Sequence, residues 1–211
     1  MDKRFGLIVL AVVSMIVGIF YFTRDNSNTG ESSIASGTVS NHSKGTGTVE
    51  LIEYGDFQCP ACGQFYPLVE EVVKKYEGKL KFTFKHFPID SIHPNARAAH
   101  RSAEAAGLQG KFFEMYDELY KNLSTWTGLS NPIPTFEGYA SSLGLDMTKF
   151  KTDFASATVN ATINADLSEG KTKYKVDATP TFVLNGEVLD NAEIGTIDDF
   201  SKKIDASLGT K

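Results

Sequence analysis

Cys59 and Cys62 are the only cysteines of the 211-residue chain, and Pro60 and Ala61 separate them. A strand pattern ends just before the pair and a helix pattern follows it. This places the first sulfur at a helix N-terminus, where unpaired N–H groups and the helix dipole favour a thiolate, and Pro60 suits the first helical position. Thiolates carry out disulfide exchange. The spacing therefore predicts a redox pair in which Cys59 attacks and Cys62 resolves the mixed disulfide.

Three other roles for this pair fit the sequence less well. A disulfide over so short a loop removes little chain entropy, so stabilisation alone is a weak reason to have one. A zinc site needs two more ligands, and the seven-residue spacing of His86, His93 and His100 does not match a zinc finger. Inert core thiols are the third alternative. We predict a redox site without a metal or a cofactor.

Two more positions are candidates for the same site. Glu53 lies six residues before Cys59 in an apolar strand pattern, and a buried carboxyl has a raised pKa that suits proton exchange with Cys62. A carboxylate facing water at an edge is the alternative. The cis form of a peptide bond costs little free energy before a proline, as at Thr179-Pro180. We therefore predict a cis proline beside the dithiol, which would leave backbone groups free to pair with a substrate strand. A trans turn is the alternative there.

The elements that must position these residues follow from the apolar periodicity. The predicted order is a strand, an amphipathic helix, a half-exposed strand, a helical block, a hairpin turning at Asn185-Gly186 and a final helix capped by Thr196. Their predicted ranges are 49–54, about 60–78, 79–84, about 94–167, 181–189 and 197–208. This order predicts an α/β domain over 49–211, with a small mixed sheet and a helical insertion over about 90–172.

The N-terminal residues predict a membrane anchor. Residues 5–22 are 18 consecutive uncharged residues, enough for a helix of about 27 Å, close to the hydrocarbon thickness of a bilayer. Aromatic residues and Arg24 follow directly, whereas a cleavable signal peptide would have a small-residue cleavage site there. Lys3 and Arg4 favour a cytoplasmic N-terminus. We therefore predict a single-pass signal anchor over 1–24, a flexible linker over 25–48 rich in Ser, Gly, Thr and Asn, and an extracytoplasmic domain.

Charge argues against one class of partner. The chain has 21 Lys and Arg against 26 Asp and Glu, a formal charge of −5, and no basic run. Binding to a phosphate backbone requires a concentrated positive surface. We therefore do not expect a nucleic acid to be a partner.

Several segments together resemble the DsbA-like thiol-disulfide oxidoreductases, including the membrane-anchored DsbA/BdbD and DsbG types. The segments run from Glu53 to Cys62, Lys85 to Pro88, His93 to Pro94, Gln109 to Met115 and Val176 to Gly186. The resemblance implies a thioredoxin fold interrupted by a helical domain. It also implies that Cys59 attacks, Cys62 resolves, Glu53 is a buried acid and Thr179-Pro180 forms the cis-proline loop.

The resemblance also implies partners. Exported polypeptides with free cysteines would be the substrates, and a membrane protein of the DsbB or VKOR type would reoxidise the dithiol. No separate dimerisation domain precedes Val49, so we expect a monomer. Pro-Ala between the cysteines lacks the histidine found in the strongest oxidants of the family, which indicates a milder oxidant.

The leading hypothesis is therefore disulfide formation in exported proteins. A thiol reductase or disulfide isomerase on the same side of the membrane is the enzymatic alternative, and the reduction potential separates the two. A peptide-binding holdase is the alternative from another class. Replacing both cysteines would leave holdase activity intact.

Overall fold

The computed structural model describes residues 37–209. The predicted anchor and residues 25–36 of the predicted linker lie outside the described residues. Within residues 37–209, no helix has the length and apolar character needed to cross a membrane.

A five-stranded mixed sheet forms the centre of the fold. Its strands lie in the order β1-β3-β2-β4-β5. The pair β2 and β3 is parallel, and the other neighbouring pairs are antiparallel. The strand bounds are His42–Lys44 for β1, Val49–Gly55 for β2, Leu80–His86 for β3, Thr181–Leu184 for β4 and Glu187–Val188 for β5. The mixed sheet predicted from the sequence is present.

Helices connect and cover these strands. Helix α1, Pro60–Lys75, joins β2 to β3, and six helices lie between β3 and β4 in the described chain. These six are α2 Ala96–Gly107, α3 Phe112–Lys121, α4 Leu123–Trp126, α5 Ile133–Ser142, α6 Met147–Ala155 and α7 Ala157–Lys173. A short 3-10 helix, Asn191–Glu193, and α8, Ile197–Gly209, follow the hairpin. The helical insertion therefore follows the strand-helix-strand unit that carries the two cysteines.

Side chains from the two faces of the sheet pack into two separate hydrophobic clusters. Leu51, Phe82, Phe84 and Phe182 belong to the larger cluster, which includes residues of α1 and α3, while Tyr54 belongs to the smaller one. Helix α7 approaches the sheet closely at Gly170, where an added Cβ would lie 2.9 Å from the Tyr54 ring. Both faces of the central strands are thus covered.

The predicted linker differs from the structure at its C-terminal end. His42–Lys44 forms β1 and pairs with residues Phe82 to Phe84 of β3. The hydroxyls of Ser43 and Thr83 are 2.8 Å apart, and the His42 ring stacks on Phe112 at 3.6 Å between centroids. This strand is short and polar and is held by backbone pairing, so it leaves no apolar period in the sequence.

The half-exposed strand predicted over 79–84 is confirmed at Lys79, which is exposed, and at Lys81, which is partly exposed, but Thr83 of the same face is buried. In β3, Thr83 is 4% exposed and Lys85 is 6% exposed. Lys85 Nζ donates to the Ser40 carbonyl and to Asp166 Oδ1, the latter at 3.4 Å. Asp166, which is fully buried, also accepts from the backbone N–H groups of Ser40 and His86. A lysine with a buried carboxylate partner can lie in the interior, although its residue type predicts a solvent-facing position.

The hairpin and the final helix match their predictions. Asn185 and Gly186 have φ angles of 48° and 90°, as a type I′ turn between β4 and β5 requires. Thr196 Oγ1 accepts from the N–H of Asp199 at 3.2 Å and so caps α8. In the helical insertion, Trp126 is buried and donates to the Leu119 carbonyl at 2.9 Å.

Candidate active site

Cys59 is the N-cap of α1, and Pro60 occupies the first helical turn. Both cysteines are free thiols, and Cys59 keeps 7% exposure. Hydrogen bonding by the Cys62 thiol lowers the pKa of Cys59 to about 5, against the opposing effect of burial. The N–H groups of Cys62 and Ala61 lower the pKa further. Cys59 is therefore a thiolate at neutral pH.

Cys62 lies one turn further along α1 and is fully buried. Burial raises its pKa well above the ordinary value, and its hydrogen bond with Cys59 and the nearby Glu53 carboxyl raise it further. The N–H of Asp56 donates to Cys62 Sγ at 3.5 Å and acts in the opposite direction. The two thiols thus differ in both access and charge, and Cys59 is the one that an incoming sulfur can reach.

Glu53 lies in the centre of the sheet, paired with Phe84 of β3 and Phe182 of β4. It is 1% exposed, so the alternative of an edge carboxylate facing water is wrong. Neither carboxyl oxygen has a hydrogen-bond partner among the described residues. Burial raises its pKa to about 8, and Lys44 partly offsets this effect. A carboxyl in this state exchanges protons near neutral pH.

The Thr179-Pro180 peptide bond is cis, as predicted. The carbonyl oxygen of Thr179 lies 3.4 Å from Cys59 Sγ, and the Pro180 carbonyl accepts from Asn191 Nδ2 at 2.6 Å. The predicted residues of the site therefore meet at one end of the sheet. The sequence positions alone could not show that Thr179 contacts the sulfur.

Asp56 organises the loop before the cysteines. It is fully buried, and its carboxylate accepts from the N–H groups of Gln58 and Ile89 at 2.8 Å each. His93 Nδ1 lies 2.7 Å from the same carboxylate. The sequence reasoning missed this contact between Asp56 and His93, because 37 residues separate them.

A buried histidine network lies behind this loop. His86 and His100, both fully buried, face each other through their Nδ1 atoms at 2.6 Å. Glu104 Oε1 lies 2.8 Å from His86 Nε2 and 2.6 Å from His42 Nε2. The N–H of Phe57 donates to His100 Nε2 at 3.4 Å. The seven-residue spacing of these histidines in the sequence gives no sign of this connection.

Three of these residues could in principle hold a metal ion. The ligand atoms of His42, His86 and Glu104 lie within 4.8 Å of one another. However, the N–H of Phe57 donates to His100 Nε2, so this nitrogen of a neutral His100 carries no proton. The proton of His100 is then on Nδ1 and is donated to His86 Nδ1. His86 therefore carries its own proton on Nε2 and donates it to Glu104. A metal on His86 Nε2 would require this order of donors to reverse. We therefore assign the group as a hydrogen-bond network.

Comparison with known proteins places the chain in a family. A family model described as Thioredoxin matches residues 44–206. This chain belongs to the thioredoxin family. The match covers β2, α1, the insertion and the hairpin that carry the geometry described above.

Two relatives of this thioredoxin-family chain differ in how much of their length they share with it. It is 38% identical over 138 residues to an Na(+)/H(+) antiporter NhaA 1 of Salinispora arenicola, covering 65% of this chain and 20% of the antiporter. The chain thus spans about a fifth of that relative. It is 28% identical over 220 residues to a probable disulfide bond formation protein D of Bacillus anthracis, covering 97% of this chain and 93% of that protein.

Solved structures share the fold. The oxidised form of BdbD from Bacillus subtilis aligns with a TM-score of 0.69 at 22% identity, covering 82% of this chain and 97% of BdbD. The α-DsbA1 protein of Wolbachia pipientis aligns with a TM-score of 0.68 at 20% identity, covering 81% and 92%. The thioredoxin-like α/β fold with a helical insertion, predicted from the sequence, is confirmed.

Proposed function

We propose that the protein is a membrane-anchored, extracytoplasmic thiol-disulfide oxidoreductase that forms disulfides in exported polypeptides through Cys59 and Cys62. This proposal rests on the opposite pKa shifts of the two neighbouring thiols. The pKa of Cys59 is lowered to about 5, and the pKa of Cys62 is raised. A stabilised thiolate stabilises the reduced form, and a disulfide whose reduced form is stabilised is an oxidant.

The proposed reaction begins with the Cys59–Cys62 disulfide. A substrate thiolate attacks the Cys59 sulfur, the Cys59–Cys62 bond breaks, and Cys62 leaves with the electron pair. The Glu53 carboxyl, whose pKa is about 8, supplies the proton to Cys62. A second substrate thiolate then attacks the substrate sulfur of the mixed disulfide. Cys59 leaves as a thiolate, and the substrate keeps the new disulfide.

The loop at Thr179 and Pro180 is the proposed substrate-binding element. The Thr179 carbonyl lies beside the Cys59 sulfur, so a substrate strand attached to Cys59 would meet backbone polar groups there. Such groups can pair with an extended chain in any sequence context. This supports a broad range of unfolded polypeptide substrates.

The product of each cycle is the reduced dithiol, so an electron acceptor is required. We propose a membrane partner of the DsbB or VKOR type. The uncharged run over residues 5–22 supports a location at the membrane, and similarity along nearly the whole chain to a protein named for disulfide bond formation supports the reaction that such a partner would sustain. A lateral encounter in the bilayer would bring the two proteins together.

The test is the reduction potential of the full-length chain in detergent, equilibrated against glutathione buffers, with Cys59→Ser as the control. We expect a potential between about −120 and −180 mV, the range of oxidants of this class. A potential near about −270 mV would indicate a thiol reductase instead. Failure of the dithiol to cycle would refute an enzymatic function, and peptide binding by the Cys59→Ser/Cys62→Ser variant would then favour a holdase.

A further inference from the structure

A groove adjoins the dithiol on the side of the helical insertion. Gln58 and Pro60, the two chain neighbours of Cys59, both line it. The remaining lining residues are His93, Leu123, Ser124 and Thr127, and the volume is about 340 Å³. Because both chain neighbours of Cys59 line it, the groove lies next to the residue that a substrate thiol must reach.

The wall of the groove is fixed before any substrate binds. Gln58 Nε2 donates to the Thr127 carbonyl at 3.1 Å, and Gln58 Oε1 accepts from the N–H of Asn95 at 2.6 Å. Asn95 Nδ2 in turn donates to the Leu129 carbonyl at 2.8 Å. Gln58 and Asn95 are each 8% exposed. A preformed wall of this kind holds a reacting group at a defined position.

His93 is the only titratable side chain among the described residues that line this groove. Asp56 orients it, because the fully buried carboxylate lies 2.7 Å from His93 Nδ1. That carboxylate also accepts two backbone N–H groups, so it acts as an acceptor and the Nδ1 atom carries the proton. His100 Nε2 lies 3.9 Å from the same carboxylate. Two further titratable groups contact the Asp56 backbone: the Tyr120 hydroxyl donates to its carbonyl, and Cys62 Sγ accepts from its N–H, each at 3.5 Å.

The consequence for a neutral His93 is a free lone pair on Nε2. A buried carboxylate that fixes the tautomer through Nδ1 leaves Nε2 as the basic atom. The His93 side chain keeps 14% exposure, so it can return a proton to solvent. These are the properties of a general base.

We propose that His93 is a catalytic base for substrate thiols, accepting at Nε2 the proton of the cysteine that attacks Cys59. This inference rests on the oxidoreductase function proposed above. The proton moves from the substrate sulfur to His93, and the resulting thiolate forms a bond to the Cys59 sulfur. The Cys59–Cys62 bond breaks with its electron pair on Cys62, and His93 later releases its proton to water.

The need for such a base follows from the chemistry of the substrate. A free cysteine has a pKa of about 8.5, so only a few per cent is thiolate at pH 7. Cys59 does not need this help, since its own pKa is about 5. A base beside the entry of the substrate therefore acts on the attacking thiol and not on the enzyme thiol.

The experiment measures the second-order rate at which the oxidised full-length chain, in detergent micelles, oxidises a reduced two-cysteine peptide. His93→Asn keeps a side-chain N–H that can reach Asp56 but removes the base. We expect this variant to be about tenfold slower at pH 7, and the deficit to disappear towards pH 9, where the peptide thiol ionises without help. Ile92→Ala is the matched control, because Ile92 is 66% exposed and adjoins His93.

A second variant guards against a folding defect in the first. His93→Ala should recover rate when free imidazole is added to the buffer, which a purely structural role of His93 would not allow. A deficit in His93→Asn that is the same at every pH, without imidazole rescue of His93→Ala, would overturn the proposal. If the wild type exchanges normally and His93→Asn matches it, only the role of His93 is refuted. A wild-type disulfide that does not react would refute the oxidoreductase function as well.

Discussion

The Nδ1 atoms of His86 and His100 lie 2.6 Å apart in the core, where neither ring is exposed to solvent. Burial lowers the pKa of His100 well below its ordinary value, and the neighbouring His86 lowers it further. His100 is therefore neutral and donates its single proton to His86. The charge of the network resides on Glu104, which links strands β1 and β3 to helix α2.

Replacing Glu104 with Gln tests this network. The substitution keeps an oxygen that can accept from the two imidazole N–H groups but removes its negative charge. A hydrogen bond to a charged group contributes about 1 kcal/mol more than a neutral one, so we expect the free energy of unfolding at pH 7 to fall by about 2 kcal/mol. Urea unfolding measures the change. Glu114→Gln is the control, since Glu114 is a largely exposed residue of the neighbouring helix α3 and its loss should cost less than about 0.5 kcal/mol.

The difference in unfolding free energy between the wild type and Glu104→Gln should also depend on pH. Burial alone would raise the pKa of Glu104, but hydrogen bonds from His42 and His86 hold it well below its ordinary value of 4.5. A lowered pKa stabilises the fold above the unfolded-state pKa, and this stabilisation is lost as the pH falls below about 4.5. The stability gap between the wild type and Glu104→Gln should therefore narrow on acidification. A constant gap would contradict an ionised Glu104.

Glu53 should affect stability with the opposite sign. The pKa of Glu53 is about 8 in the folded protein, against an ordinary value of 4.5 for a glutamate carboxyl. Its contribution to the free energy of unfolding is therefore complete below about pH 4.5 and is lost as the pH rises to about 8. The loss can reach about 1.4 kcal/mol per pH unit in this window. We expect Glu53→Gln to remove this dependence in urea unfolding.

The measurement is made in a Cys59→Ser/Cys62→Ser background, so that no thiol titrates. Glu50→Gln is the matched control, because Glu50 lies on the same strand with its side chain 45% exposed. It should leave the pH dependence as in the wild type. Equal pH profiles with and without Glu53 would show that the carboxyl is already ionised in the folded state.

The thiolate of Cys59 is testable by alkylation. In the reduced protein, the rate of reaction with iodoacetamide should reach half its maximum near pH 5, because the pKa of Cys59 is about 5. Cys62→Ala removes the hydrogen bond that lowers this pKa most, so the midpoint should rise by about one unit or more. Cys62→Ser keeps a hydroxyl donor and should shift it less. A wild-type midpoint near about 8.5 would mean an unperturbed thiol.

Much of the fold could be predicted because apolar periodicity and turn chemistry are local. The central strand β2, the helix after the cysteines and the Asn185-Gly186 turn each carry their signal within a few residues. Strand β1 could not be found in this way, since its stability comes from pairing with β3. The burial of Lys85 could not be predicted either, because its partner Asp166 is 81 residues away.

For the site, too, local features could be predicted from the sequence and long-range contacts could not. Cys59, Cys62 and the burial of Glu53 followed from the position of one motif between a strand and a helix. The contact between His93 and Asp56 requires the loop after β3 to fold back onto the loop after β2, and no spacing in the sequence reports that. This contact can be recognised only once β2 and β3 are known to be neighbouring parallel strands, because their following loops then lie at the same end of the sheet.

The two edges of the sheet are the three-residue strand β1 and the two-residue strand β5. Long unpaired edges recruit extended chains and nucleate aggregation. Under the function proposed above, the protein meets unfolded polypeptides continually, and these short edges leave few backbone groups on which an extended chain could add a strand. A bound chain would then be held at the loop beside Cys59, from which disulfide exchange releases it.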